Sequence, residues 1–124
     1  MKNKKLDARG KGEFSYDKEN DIIFFKIKDR NYFKSLEFDE LVVDLDSKDF
    51  IIGLRIFEAS RLLKIDKDRI ESLHKFEFNA KVEAGLVKIQ LRFILDNPEL
   101  NYMQDFVREI LDTEINDSEV LCTI

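Results

Sequence analysis

Cysteine, proline, glycine and tryptophan are scarce in this chain of 124 residues, which has one cysteine, one proline, four glycines and no tryptophan. The single cysteine, Cys122, cannot form an internal disulfide, so a disulfide-stapled scaffold is excluded. So little proline and glycine also excludes collagen-like and low-complexity chains. No apolar run approaches the length of about 18 residues that indicates a membrane-spanning helix, and the basic N-terminus lacks the apolar stretch of a secretory signal. We therefore expect a soluble, cytoplasmic protein that contacts no membrane.

The side chains that most enzymes use are scarce as well. His74 is the only histidine, which excludes a metal site with two histidines from one chain. Cys122 has no base near it in the sequence that could activate its thiol, and four glycines provide no phosphate-binding loop. We therefore predict no catalytic residue, no cofactor and no enzymatic activity.

Hydrophobic residues make up 44% of the chain and charged residues 38%, which is typical of one globular domain with a highly charged surface. The abundance of lysine, glutamate, aspartate and isoleucine is typical of thermophilic proteins. The net charge of -5 is uneven, because residues 1–12 carry +4 and residues 96–124 carry -7. We therefore divide the chain into a flexible basic arm (1–11), a single domain (12–115) and a C-terminal tail or edge strand (116–124).

Alternation of apolar and polar residues predicts three hairpins. They span residues 12–28, 41–57 and 76–95. The second hairpin closes with Leu45 opposite Phe50, which brings the apolar residues of both strands to one face. The third hairpin turns at Ala84-Gly85 with Val82 opposite Val87, and it leaves one face apolar and the other polar. Such a separation predicts a sheet with one side on the core and one side in water.

Two segments have helical patterns. Residues 58–73 lose the alternation and contain good helix formers, so we expect one or two short helical turns there, with Asp66 at the start of the second. Residues 99–112 carry apolar side chains at spacings of three and four, which predicts an amphipathic helix. These side chains are Met103, Phe106, Val107, Ile110 and Leu111. The predicted fold class is α+β: an antiparallel sheet of about six strands with a short central helix and a C-terminal amphipathic helix covering one face.

The aromatic residues, eleven phenylalanines and three tyrosines, exceed what one core layer holds. Phe24 and Phe25 are adjacent on one predicted strand, so their side chains point to opposite faces. Phe57, Tyr32 and Phe33 do not fit a single layer either. Surplus aromatics indicate a second internal layer or a protein interface. We predict a two-fold homodimer with an interface at Phe24 or Phe25 and at Phe57, and another protein partner is the alternative.

The one acidic cluster with ligand-like spacing is formed by Asp44, Asp46 and Asp49. Carboxylates around a loop can hold Ca²⁺ or Mg²⁺. The EF-hand pattern is absent, because Asp49 stands at its glycine position and Arg55 at its glutamate position. An acidic hairpin turn is the simpler interpretation, so these residues are weak candidates and we predict no metal ion.

Residues 13–63 contain an ordered set of short motifs. They are Tyr16-Asp17 at the end of a strand, Asp21 before an apolar strand, Asp44-Leu45-Asp46 before a loop, and Ala59-Ser60 after the next strand. This set resembles the Domain of Unknown Function 2283 family. The resemblance implies a fold but no catalytic residue. Some members of that family are similar to the antitoxin halves of toxin–antitoxin pairs, which implies a protein partner.

These observations predict a small protein-interaction or dimerisation module, with an antitoxin-like role as one form of it. Two alternatives stay open. The basic arm could associate with nucleic acid, although the acidic charge of the whole chain makes this unfavourable. The carboxylates of residues 44–49 could serve a metal-binding domain or a hydrolase.

Overall fold

The computed structural model describes residues 4–96, 98–111 and 115–124, which form ten strands and two short helices. The strands are β1 (Lys4–Ala8), β2 (Gly12–Asp17), β3 (Ile22–Ile27), β4 (Lys34–Phe38), β5 (Leu41–Leu45), β6 (Ile51–Ile56), β7 (Lys75–Glu83), β8 (Leu86–Leu95), β9 (Leu100–Glu109) and β10 (Ser118–Thr123). The helices α1 (Ala59–Leu63) and α2 (Lys67–Ile70) connect β6 to β7. Neither helix has the length or apolar character to cross a membrane.

The strands form two five-stranded sheets. Sheet A has the order β1-β10-β7-β8-β9, and sheet B has the order β2-β3-β6-β5-β4. Their inner faces share one apolar core, in which Phe25 of sheet B contacts Phe76 of sheet A with ring centroids 4.6 Å apart. Buried residues of the two helices, among them Leu63 and Ile70, belong to the same core.

The predicted α+β class with one sheet of about six strands is therefore wrong. The protein is mostly β, with two five-stranded sheets and, in the residues described, only two short helices. Each sheet has one apolar face, and neither has a helix long enough to cover that face. The two sheets therefore cover each other, as in β-sandwiches.

The predicted C-terminal amphipathic helix is also wrong, because β9 pairs antiparallel with β8 over its full length. The apolar residues of this segment have helical spacing, but as a strand they divide between two faces. Phe106 is 2% exposed and belongs to the core, whereas Met103 and Val107 are 59% and 55% exposed on the opposite face. Residue 112, at the end of the predicted helix, lies outside the described residues.

The three predicted hairpins are confirmed, as are the short helical turns between residues 58 and 73. The β7–β8 register agrees with the prediction and places Val82 opposite Val87. The β5–β6 register differs, because Leu45 lies opposite Ile51 and the pairing shifts after Asp44. A bulge inserts one residue into one strand, and the run of apolar residues in β6 gave no sign of its position.

Both ends of the described chain lie in sheet A. β1, in the segment interpreted as a flexible arm, runs parallel to β10 with Lys5 opposite Glu119. β10 occupies most of residues 116–124 and lies between β1 and β7. After β1 the chain turns at Gly10 and enters sheet B as β2, so it crosses between the two sheets at this point.

Gly12, the first residue of β2, lies where the two sheets approach closely. A Cβ atom at this position would lie 2.7 Å from Cζ of Phe76 and 2.8 Å from the backbone oxygen of Thr123. Real side chains do not approach backbone atoms so closely, so a residue without a side chain permits this crossing.

The Ala84-Gly85 turn provides a first test. Ala84 has φ +50 and Gly85 has φ +79, the combination of a type I′ turn, in which asparagine is favoured at the first position. We expect Ala84→Asn to raise the free energy of unfolding by about 1 kcal/mol, because alanine is strained in this conformation. Gly85→Ala should lower it by a similar amount. Urea unfolding measures both, and a loss of stability in Ala84→Asn would contradict this assignment of the turn.

A second test concerns the crossing at Gly12. We expect Gly12→Ala to lower the free energy of unfolding by about 1–3 kcal/mol, because the added methyl group overpacks the site. Gly10→Ala is the control, since apart from its two chain neighbours no described residue has an atom within 4 Å of its Cβ position, and only its backbone φ of +78 is unfavourable. Thermal and urea unfolding should show the larger loss in Gly12→Ala, and a variant as stable as the parent would contradict the close approach.

Candidate interaction surfaces

The three residues of the predicted interface lie in different environments. Phe25 points into the core, is 1% exposed and contacts Phe76. Phe24 points to the outer face of sheet B, where it is half-buried opposite Arg55 of β6. Phe57 follows β6 and is half-buried as well. Of the adjacent pair, Phe24 is therefore the residue that faces outward.

A polar network occupies the outer face of sheet B beside Phe24. Arg55 Nη2 donates hydrogen bonds to the Asp44 carboxylate at 2.7 Å and to Ser35 Oγ at 3.0 Å. The Ser35 hydroxyl donates to the same carboxylate at 2.8 Å, and the Tyr32 hydroxyl lies 3.0 Å from Ser35 Oγ. Arg55 Nε is buried and has no hydrogen-bond partner in the part of the chain that the structure describes. The network fixes Asp44 against the sheet as a paired carboxylate.

The other two acids of the predicted loop have separate partners. Asp46 is 5% exposed, accepts a hydrogen bond from the backbone N–H of Phe50 at 3.0 Å, and pairs with Arg30. Asp49 accepts hydrogen bonds from the backbone and side chain of Asn116 at 2.9 and 3.0 Å. Among residues 4–96, 98–111 and 115–124, no group of three or more histidine, cysteine, aspartate or glutamate side chains is placed to hold a metal ion.

Of the basic residues near the N-terminus, Lys4 and Lys5 lie on β1, and Arg9 and Lys11 lie between β1 and β2. Arg9 forms two hydrogen bonds with the Asp7 carboxylate, at 2.7 and 2.9 Å. These bonds lower the pKa of Asp7 to about 2. Lys5 lies opposite Glu119 of β10. The Glu119 carboxylate pairs with Lys81 at 3.7 Å, so Arg9 is the positive charge of this segment that an acid neutralises locally.

Tyr16, Asp21 and Ser60, three residues of the family motif, form one hydrogen-bonded cluster. The Asp21 carboxylate accepts bonds from the Tyr16 hydroxyl at 2.6 Å, from the Ser60 N–H at 3.0 Å and from the Ser60 hydroxyl at 2.6 Å. Ser60 lies in the first turn of α1, and Glu58, at the helix start, makes no capping bond with its side chain. Asp21 therefore caps α1 from a distant turn.

The cluster also shifts the pKa values of its members. Burial raises the pKa of Asp21, but the hydrogen bonds donated by Ser60 and Tyr16 outweigh burial and leave the pKa below its usual value. Burial and the bond to Asp21 raise the pKa of Tyr16. The carboxylate is therefore charged and the phenol neutral over the whole neutral range, which suits a structural cap.

β9 presents much of the exposed apolar surface of the described residues. Seven large apolar side chains of the described residues are between 38% and 89% exposed, and four of the seven lie on β9 or just after it. These four are Leu100, Met103, Val107 and Leu111. Met103 and Val107 share the outer face of sheet A because they are four residues apart on one strand. Exposed apolar side chains grouped in this way indicate an interaction site.

β9 is also an edge strand of sheet A, and among the described strands it pairs only with β8. It is ten residues long, whereas the edge strands β1, β2 and β4 have five or six. Its pairing with β8 shows no register shift over these ten residues, and it contains neither proline nor lysine. Short length, bulges, prolines and lysines are among the features by which edge strands avoid pairing with other chains. β9 has none of these four, and its only charged residues are Asp105, Arg108 and Glu109.

An open cleft of about 460 Å³ lies on the outer face of sheet A beside β9. Its lining includes Glu77, Arg92, Ile94, Asn101 and Met103. Arg92 has no hydrogen-bond or ion-pair partner among the described residues. The surface next to the edge strand therefore combines apolar side chains with an unpaired positive charge.

Sequence reasoning missed this surface, because it assigned Met103 and Val107 to the buried face of a helix. A signal was present in the strand propensity of Tyr102, Phe106 and Val107. The helical spacing of the apolar residues was the stronger pattern, and it was misleading.

The comparisons with known proteins agree with the resemblance. Residues 13–60 match the family model described as a protein of unknown function, DUF2283. An uncharacterised protein of Methanocaldococcus jannaschii is 28% identical over 104 residues, which cover 83% of this chain and 90% of that protein. A protein of Methanosarcina mazei named as a putative hypoxanthine phosphoribosyltransferase is 28% identical over 93 residues, 75% of this chain and 74% of that protein. No solved structure matches the chain.

The Asp21 cap can be tested through its pH dependence. We expect Asp21→Asn to lower the free energy of unfolding by about 1–2 kcal/mol at pH 7, because it weakens the cap of α1. The folded pKa of Asp21 lies below the unfolded value of about 3.9, so the charged group stabilises the fold above that value. This stabilisation is lost as the pH falls through the folded pKa.

The difference between parent and Asp21→Asn in urea unfolding should therefore be smaller at pH 3 than at pH 7. Glu19→Gln, at an exposed position in the same turn, is the control and should change stability little at either pH. A difference that is equal at both pH values would contradict the role of the charged carboxylate.

Proposed function

We propose that the protein is a small protein-interaction module that dimerises, with the edge strand β9 at its interface. One observation supports this most directly: the long open backbone edge and the exposed side chains of Met103 and Val107 occur on the same strand. The unpaired N–H and C=O groups of an edge strand can bond to another strand, while its side chains select the register. Apolar side chains beside such an edge add burial to these hydrogen bonds.

The outer face of sheet B is the second surface to consider, and the interface at Phe24 and Phe57 stays a prediction. Both side chains are half-buried, so they offer a partner less apolar area than Met103 and Val107 do. The neighbouring Arg55–Asp44 ion pair, at 2.7 Å, is already satisfied within the chain. Tyr32 and Phe33, just before β4 of sheet B, are 63% and 61% exposed. We therefore rank β9 above this face on its long open backbone edge and not on exposed apolar area alone.

The name of the Methanosarcina mazei relative raises the question of phosphoribosyl transfer in this chain. Glycine-rich loops that open a helix bind phosphate groups through consecutive backbone N–H groups. Here the glycines are at positions 10, 12, 53 and 85, in strands or in turns that join two strands. We therefore do not extend that activity to this chain. An antitoxin-like role, implied by the family resemblance, would add a second protein as partner.

Sedimentation equilibrium of the parent and of Val107→Lys tests the proposal. We expect the parent to dimerise and Val107→Lys to dimerise at least about tenfold more weakly, because a lysine on the edge opposes pairing with another strand. Ser47→Lys is the matched control, since it adds the same charge at an exposed position in the turn between β5 and β6 of sheet B, and it should leave association unchanged.

Phe24→Glu separates the two surfaces. Normal dimerisation of this variant together with weak dimerisation of Val107→Lys supports β9. The reverse pattern moves the interface to sheet B and contradicts the assignment to β9. A parent that stays monomeric at every concentration contradicts dimerisation altogether.

A further inference from the structure

We infer that β9 pairs with β9 of a second copy of this chain, antiparallel and about a two-fold axis that passes beside Asp105. The pairing joins two copies of sheet A into one continuous sheet of ten strands. This inference rests on the proposed function and adds the register of the interface and the side chains that meet there.

The direction of the free backbone groups follows from one hydrogen bond. The Ile110 N–H donates to the Gly85 oxygen at 2.8 Å, so Ile110 directs its backbone toward the β8 side. In an antiparallel ladder the residues alternate between bonding to the neighbour and pointing away from it. The groups on the open side therefore belong to residues 101, 103, 105, 107 and 109. This assignment is consistent with the Val107 backbone oxygen, which accepts a hydrogen bond at 3.0 Å from the Arg108 side chain of the same strand and not from β8.

The register follows if every residue whose backbone groups point to the open side of β9 is paired with a residue of the second copy. These five positions are centred on Asp105, so a two-fold axis beside Asp105 places residue 101 opposite 109, 103 opposite 107, and 105 opposite itself. A shift of the axis by one residue in either direction leaves an open position without a partner. A two-fold axis perpendicular to the sheet also keeps the outer faces of the two copies on the same side. Odd-numbered residues of β9, which lie on the outer face, are then opposite odd-numbered residues of the second copy.

The side chains suit this register. Met103 of each copy lies opposite Val107 of the other, so two pairs of apolar side chains, now 59% and 55% exposed, cover each other. On the inner face Tyr102 lies opposite Arg108 of the second copy. Arg108 would then release the Val107 oxygen to the new ladder and could stack on the tyrosine ring.

The like charges of the two Asp105 side chains oppose this register. Lys88, one neighbouring cation, already pairs with Glu83 at 3.2 Å, so Arg92 is the cation that compensates for them. In sheet A, Arg92 lies opposite Met103 and Lys88 lies opposite Val107, so both are diagonal neighbours of Asp105 on the outer face. Diagonal neighbours are within reach of long side chains. Arg92 has no partner among the described residues, which leaves its guanidinium free to neutralise the carboxylate.

Single cysteine substitutions along the outer face of β9 test the register. In the inferred dimer the two residues at position 105 have Cα atoms about 5.5 Å apart, which suits a disulfide. We expect Asp105→Cys to form disulfide-linked dimers with oxidised glutathione at least about tenfold faster than Met103→Cys or Val107→Cys alone. Mixing Met103→Cys chains with Val107→Cys chains should restore fast cross-linking. Native Cys122 can remain, because it is 0% exposed and burial raises its pKa to about 12.

The outcomes separate this inference from the proposed function. Fast self-cross-linking at position 103 or 107 shows a different register and overturns the inference, while β9 remains the interface. If no position cross-links and the parent still dimerises, the inference is overturned, and the Val107→Lys variant decides whether β9 takes part at all. If the parent does not dimerise, the proposed function fails as well.

Discussion

The two sheets depend on each other, because each has one apolar face and no long helix to cover it. The rings of Phe25 and Phe76 meet across this shared core with centroids 4.6 Å apart, and Phe78 continues the cluster on sheet A. With the inner faces used for stability, the surfaces left for function are the outer faces and the strand edges. Both candidate surfaces, the outer face of sheet B and the edge strand β9, lie there.

The parts of the fold that could be predicted from sequence are those where both strands of a hairpin alternate without interruption. The β7–β8 register followed from this pattern, since a shift by one residue would point the apolar side chains of one strand toward the solvent. The β5–β6 register did not, because the residues of β6 before Arg55 are buried whichever way they point and do not reveal a bulge. Pairing between distant segments, such as β1 with β10, left no local pattern in the sequence.

The sequence predicted that the protein has an interface, but not which residues form it. Surplus aromatic residues suggested an interface, but Phe25 belongs to the core and Phe24 is half-covered on sheet B. The more exposed side chains, Met103 and Val107, have a spacing that fits a helix. They form a surface only because β8 takes this segment as a neighbouring strand, a tertiary preference that local spacing does not contain.

The segment that matches the family model, residues 13–60, includes almost all of sheet B and ends at Ser60. The bond from Ser60 to Asp21 therefore joins the end of this segment to its first hairpin. Three motif residues, Tyr16, Asp21 and Ser60, thus have a common structural purpose. All five strands of sheet A, including β9, lie outside the matched segment.

The parallel pairing of β1 with β10 has a mechanical consequence. A force that pulls residue 4 and residue 124 apart acts along these two strands in opposite directions. The strands are paired over five residues, from Lys4 opposite Ser118 to Ala8 opposite Cys122, so the pull shears the whole ladder instead of opening it one bond at a time. All its hydrogen bonds bear the load together, which gives a higher resistance to a pull between these two residues than an antiparallel pairing of the same strands would give.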